Sequence, residues 1–193
     1  MKNPGFTLVE ILVSICVSVS IIGAVLSIFI TTHTSQKRIL SSYELLNQSG
    51  YSMELMSRSL RMAEKESGQG CLSSLGLNYE IPSAFRIGGD EGLGTGIKFI
   101  NHLEEDDCQE FFLENNQLKY RKGIGTTNEE TVNLTSSKLE ITNFKFKLQG
   151  HNQDDNYQSR VTMLLIVQTS PEGPKITLET TISQRNIDTY QLY

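Results

Sequence analysis

Glu10 is the residue whose type and position most invite chemistry. It stands immediately before residues 11–32, a stretch without a single charged side chain, and Phe6, Leu8 and Val9 are already apolar on its N-terminal side. A lone acid at such a place is costly in lipid, about 2.5–3.5 kcal/mol for Asp at a helix centre and less near the interface. An intramembrane acid therefore calls for a named partner; the alternative is a Glu10 resting passively in the headgroup layer. The other reactive side chains are scattered. Cys16 lies inside the apolar stretch and reads as a small hydrophobe, which leaves Cys71 and Cys108. Glu104-Glu105-Asp106-Asp107 and Asp154-Asp155 are rich in oxygen but lack the spacing of a calcium loop, so they read as solvated loops and no metal site is expected. His33, His102 and His151 have no nucleophile arranged around them, and no acid–base pair or elbow motif is visible. Catalysis is not expected. The glycine-rich residues 88–96 lack the Lys-Ser/Thr of a phosphate loop, so they read as a flexible loop and no cofactor is implied. Asn47-Gln48-Ser49 and Asn133-Leu134-Thr135 match the glycosylation tripeptide, a weak signal.

These residues must be positioned by two kinds of segment. A bilayer core takes about 20 apolar residues in a helix, and residues 11–32 supply them. No small-residue cleavage pattern follows that stretch, as a secretory signal would require. Lys2 and the free amine make a short positive leader that stays on the cytoplasmic side. Pro4-Gly5 cannot begin a helix comfortably, so the helix is expected from Phe6. No proline occurs between Phe6 and Ile81, and apolar residues recur at Ile39, Tyr43, Leu46, Met53, Leu60 and Ala63, with Gly50 in the gap. These spacings describe one stripe of a helix that continues past the membrane to about Glu66, where Ser67-Gly68-Gln69-Gly70 ends it. A separate membrane helix followed by a helix broken near Gly50 is the alternative. Cys71 and Cys108 then fall on the extracytoplasmic side, where disulfides persist. A bridge between them is the favoured expectation, worth about 3–4 kcal/mol; metal ligation lacks two further ligands nearby.

Downstream the period changes from helical to two. Strands are expected over residues 96–103, 110–114, 117–121, 139–148, 160–168 and 175–183. Asn115-Asn116 signals a tight hairpin turn, and Ser170-Pro171-Glu172-Gly173-Pro174 another turn. The expected class is α+β: a long N-terminal helix, half in the membrane and half amphipathic, packed on an antiparallel sheet. The segments are residues 1–5, 6–32, 33–66 and 67–193.

Gly5-Phe6-Thr7-Leu8-Val9-Glu10 followed by the apolar stretch resembles the processing signal of the type IV prepilin family at nearly every position. The resemblance implies cleavage between Gly5 and Phe6 by a prepilin peptidase, removal of residues 1–5 as a leader, and N-methylation of Phe6. It also implies that Glu10 pairs with the new ammonium on Phe6 of a neighbouring subunit, a strong pair in low dielectric. The successive segments FFLENNQLKYRKG, VNLTSSKLEITNFKFKLQG, SRVTMLLIVQTS and ITLETTISQRN are similar to the C-terminal half of minor pilins and pseudopilins, most of all the larger J-type or W-type members near a filament tip. Residues 71–96 are not covered.

The expected function is that of a structural subunit, a minor pilin or pseudopilin of a type IV pilus, competence pilus or type II secretion pseudopilus. The resemblance implies other pilins, the prepilin peptidase and an inner-membrane assembly platform as partners, with membrane lipid around the helix before assembly. Its place would be the inner membrane, single-pass with an extracytoplasmic head, and then the filament. A main shaft subunit, or a tip-located adhesin or DNA-uptake module, are the alternatives. The formal net charge of −5, from 17 Lys+Arg against 22 Asp+Glu, argues against nucleic acid, although Lys119-Tyr120-Arg121-Lys122 forms a local basic patch.

Overall fold

The computed structural model describes residues 5, 7–104, 107–150, 158–170 and 173–185. It divides into two compact units, Met1–Ser42 and Tyr43–Tyr193. Helix α1 spans Leu8–Arg61. Thr7 caps its start, accepting the Glu10 N–H on Oγ1 at 3.4 Å and on its carbonyl at 3.1 Å. Through the apolar stretch the hydroxyls of Ser14, Ser18, Ser20 and Thr31 each donate to the carbonyl four residues back, at 2.7–2.9 Å. Such bonds satisfy a polar side chain where no water reaches it. Neither Gly23 nor Gly50 interrupts the helix. In the first unit every described residue from Thr7 to Leu40 is exposed, and the helix is long and apolar enough to cross a membrane.

The helix residues of the second unit bury one face: Leu45, Ser49, Ser52, Met53, Met56 and Leu60. Of the expected stripe Met53, Leu60 and, just past the helix, Ala63 are buried, but Ile39, Tyr43 and Leu46 are 54%, 63% and 49% exposed. The face is rotated because two serines fill it. Ser49 donates to the Leu45 carbonyl, and Ser52 to the carbonyls of Gln48 and, at 3.3 Å, Leu134. With their hydroxyls satisfied, these short side chains can be buried where bulkier ones would hold the helix away from its neighbours. A period search on apolar residues does not see them.

The helix ends at Arg61, five residues short of the expected Glu66. Its last carbonyls find better partners outside the helix: the Tyr79 hydroxyl donates to the Leu60 carbonyl at 2.7 Å, and the Arg185 N–H to that of Arg61 at 2.8 Å. Residues 63–64 then join a sheet.

Two antiparallel sheets follow, not the single one expected. The first has the order β1 (Ala63–Glu64), β4 (Gly96–Asn101), β5 (Asp107–Glu114), β6 (Gln117–Lys122), β7 (Glu130–Asn133), with β2 (Tyr79–Glu80) on the same edge of β4 as β1. The second runs β10 (Lys175–Ser183), β9 (Arg160–Gln168), β8 (Glu140–Gln149), β3 (Leu93–Gly94). All six expected strands are present within a few residues of their expected ends. The four that sequence periodicity missed are β1, β2, β3 and β7, each of two to four residues, too short to show a period of two. Asn115 and Asn116 adopt φ of 52° and 58°, the left-handed pair of a tight hairpin between β5 and β6. Residues 88–96 are not simply a flexible loop. Gly94 pairs with Phe146 across β3 and β8, and a Cβ there would lie 2.6 Å from the Phe85 carbonyl oxygen.

One core joins the two sheets to the buried helix face. Leu45, Met56 and Leu60 pack with Ile97, Phe99, Phe111 and Leu118 of the first sheet and Phe144, Phe146, Val161, Met163, Leu165 and Val167 of the second. The rings of Phe99, Phe111 and Tyr120 stack in sequence at 5.6 and 4.9 Å.

Candidate functional site

The residues singled out by sequence lie in two places. At the start of α1, Thr7 and Glu10 occupy the cap and third positions of a helix, the Ser/Thr-x-x-Glu spacing of a capping box. Sequence reasoning passed over this, although the motif was legible. One half of the box is made, Thr7 Oγ1 accepting the Glu10 N–H. The Glu10 carboxylate is exposed and accepts no hydrogen bond from the described residues. Its negative charge is favourable in the first turn of a helix, where unsatisfied N–H groups gather. On the same face, at the helical spacing, Ser14 and Ser18 continue a shallow groove with Ile11, Ile15 and Val19. Gly5 is exposed with open space around it. Phe6, and with it the Gly5–Phe6 junction and the expected methylation, lies outside the described residues, as do residues 1–4.

The second place is the loop between β1 and β2. Cys71 and Cys108 are joined by a disulfide with a Cα–Cα distance of 5.6 Å, closing 37 residues. Cys16 is free, and it is exposed on the helix surface. Cys108 sits opposite Ile100 on the first sheet, and a small apolar cluster of Cys71, Leu72, Ile100 and Leu77 surrounds the bridge.

Beside it, Glu66 does what the sequence did not announce. Its carboxylate, 4% exposed, accepts the N–H groups of Gly68, Gln69, Gly70 and Leu72 at 2.6–3.1 Å. Burial opposes its ionisation, but the four N–H donors outweigh burial and hold its pKa down to about 2. The loop wraps around a fixed negative charge, with Gly68 and Gly70 taking the positive φ that this requires (119° and 77°).

An open groove of about 980 Å³ lies against the bridge, lined by Lys98, Asp107, Lys122 and the loop from Gly123 to Asn128. Its polar groups are largely spoken for. The Asp107 carboxylate accepts the Gly123 N–H at 2.9 Å, and Lys122 pairs with Glu130 at 3.2 Å. The basic patch read from sequence is neutralised in the same way. Lys119 pairs with Glu114, and Arg121 with the buried Glu110 at 3.2 Å. Burial raises the Glu110 pKa and Arg121 opposes that rise, while Lys119 holds the exposed Glu114 carboxyl down. Arg121 also lies over the Phe112 ring at 4.7 Å.

The histidines are apart. His33 stacks on Phe29 along the exposed helix, and His102 pairs with Glu64 at 2.8 Å. His151 lies outside the described residues, as do Glu105, Asp106, Asp154 and Asp155. Among the described residues no three His, Cys, Asp or Glu side chains gather to hold a metal ion. The hydroxyls of Ser49 and Thr135 in the two glycosylation tripeptides belong to buried residues already engaged, Thr135 accepting the Leu118 N–H at 3.1 Å. Comparison of the chain with protein-family models, with curated proteins and with solved structures gives no match.

Proposed function

We propose that this chain is a structural subunit of a type IV pilus-like filament, a minor pilin or pseudopilin that acts at or near the tip. A prepilin peptidase removes residues 1–5 and the amine of Phe6 is methylated. The observation that carries this is the sequence Gly5-Phe6-Thr7-Leu8-Val9-Glu10 at the start of a helix whose residues through Leu40 are all exposed. Before assembly the apolar helix lies in the inner membrane, with the disulfide-linked head outside the cytoplasm. In the filament, Glu10 pairs with the Phe6 ammonium of a neighbour, and other pilins replace lipid around the helix. A carboxylate in the first turn with no partner among the described residues suits that role.

The test is Glu10→Leu expressed in the native host. Removing the charge makes the helix more apolar, so membrane levels should equal or exceed those of the parent. Cleavage should also proceed, with intact-mass spectrometry finding a methylated chain that begins at Phe6. Filament-associated protein should fall by about tenfold or more, since loss of a buried partner typically costs about 3–5 kcal/mol. Normal incorporation, or a mature chain still carrying residues 1–5, would reject the proposal.

A further inference from the structure

Edge strands in folded proteins are usually kept short, bulged, broken by proline or guarded by inward charge, because a bare edge recruits other strands. β10 is guarded only lightly, by Lys175 at its start and the outward-facing Glu179 at its centre. It is nine residues long, contains no proline, and pairs with β9 from Lys175↔Gln168 to Ser183↔Arg160 without a register shift. Among the described residues no strand pairs with its other edge.

The core is also unfinished on that side. Register places Ile176, Leu178 and Thr180 opposite Val167, Leu165 and Met163. The three β9 residues are 0% exposed, whereas Ile176 and Leu178 pack on the same core and stay only partly buried. An added strand would take water away from both.

The Ser183 end carries charge. There the strand and the last turns of α1 line an open groove with Ser57, Arg58, Arg61, Thr181, Ser183 and Arg185. Arg58 is held by Glu54 at 3.1 Å. Arg61 and Arg185 have no carboxylate partner among the described residues, although the Arg185 N–H ties the two together through the Arg61 carbonyl. Arg61 and Arg185 line this groove together and are tied through their backbones, so it presents positive charge that an acid of another chain would complement.

We propose that the free edge of β10 docks an extended segment of another protein chain, antiparallel, with apolar residues at alternate positions and a carboxylate at the end that meets Ser183. Backbone pairing supplies affinity, the alternate side chains cover Ile176 and Leu178, and the carboxylate sits between Arg61 and Arg185. A second copy of β10 fits less well, because fully overlapped antiparallel self-pairing sets Glu179 against Glu179. The docking site is independent of the filament role proposed above.

The experiment uses the full chain in detergent micelles and synthetic peptides of alternating valine and threonine with aspartates at the N-terminal end. N-methylation along one edge stops the peptide stacking on itself and leaves the other edge able to pair. We expect this peptide to bind, and the same peptide methylated along both edges to bind at least about tenfold more weakly. Replacing its aspartates by lysines should weaken binding to the parent protein by about tenfold, and the double variant Arg61→Glu, Arg185→Glu should reverse that preference. Absence of binding, equal affinity for the two methylation patterns, or indifference to charge reversal on the peptide would overturn the proposal. So would concentration-dependent dimers of the full chain that Leu178→Lys abolishes, which would assign the edge to a second copy.

Discussion

Helix α1 is one backbone with two relations to its side chains. From Thr7 to Leu40 it exposes everything, including Ile21, Ile28 and Phe29 at 59%, 68% and 67%. From Tyr43 to Arg61 it buries one face completely, with Leu45, Met56 and Leu60 at 0%. Apolar character does not track this difference. Ser49 and Ser52 are fully buried in the second half, while Ile39, Leu40, Tyr43 and Tyr51 are not. A helix apolar all around its circumference asks for a uniformly apolar surrounding. A helix with one buried face asks only for a neighbour of complementary shape, and small residues can serve that as well as large ones.

Truncating one residue in each half should separate the two most strongly. Leu60→Ala should destabilise the head by about 4 kcal/mol, the cost of a cavity in a closed core. Ile21→Ala should leave head unfolding within about 0.5 kcal/mol of the parent. Thermal unfolding of the full chain in detergent, followed by its tyrosine signal, measures both. Equal effects would mean that the exposed half is coupled to the head.

The cysteines of the two units should differ almost as much. Cys108→Ser opens a 37-residue loop and should cost about 3 kcal/mol. Cys16→Ser, on the exposed helix, should cost nothing measurable. Peptide mapping without reductant should recover residues 71 and 108 together and Cys16 as a free thiol.

The carboxylates give the smallest contrast. Glu66→Gln weakens four charge-assisted bonds and should cost about 2 kcal/mol, whereas Glu10→Gln should not move head unfolding. The pH dependence carries a sign. Because the folded pKa of Glu66 is depressed from 4.5 to about 2, the unfolded chain takes up the proton first as the solution is acidified. The contribution of Glu66 is therefore complete above pH 4.5 and is lost as the pH falls toward 2. Unfolding of the Glu66→Gln variant should show a correspondingly shallower loss of stability over that window.

Much of this protein was legible from residues near one another in sequence. The uncharged residues 11–32, the Thr7-x-x-Glu10 cap, the Asn115-Asn116 turn and the alternation in β8, β9 and β10 are local patterns, each with a local cause in solvation or backbone sterics. Cys71 and Cys108 could be paired from sequence because only two thiols lay outside the apolar stretch. What the tertiary structure alone decided were the features whose partners are distant. The helix stops at Arg61 because Tyr79 and Arg185 compete for its last carbonyls. The buried face turns onto Ser49 and Ser52 because the Leu134 carbonyl and the packed sheets meet them there. Glu66 is held ionised by N–H groups that a loop must first fold to present, and β10 is an edge only because nothing among the described residues pairs beyond it. Local preference costs each residue little to express, whereas these contacts exist only after chain entropy has been spent bringing their partners together.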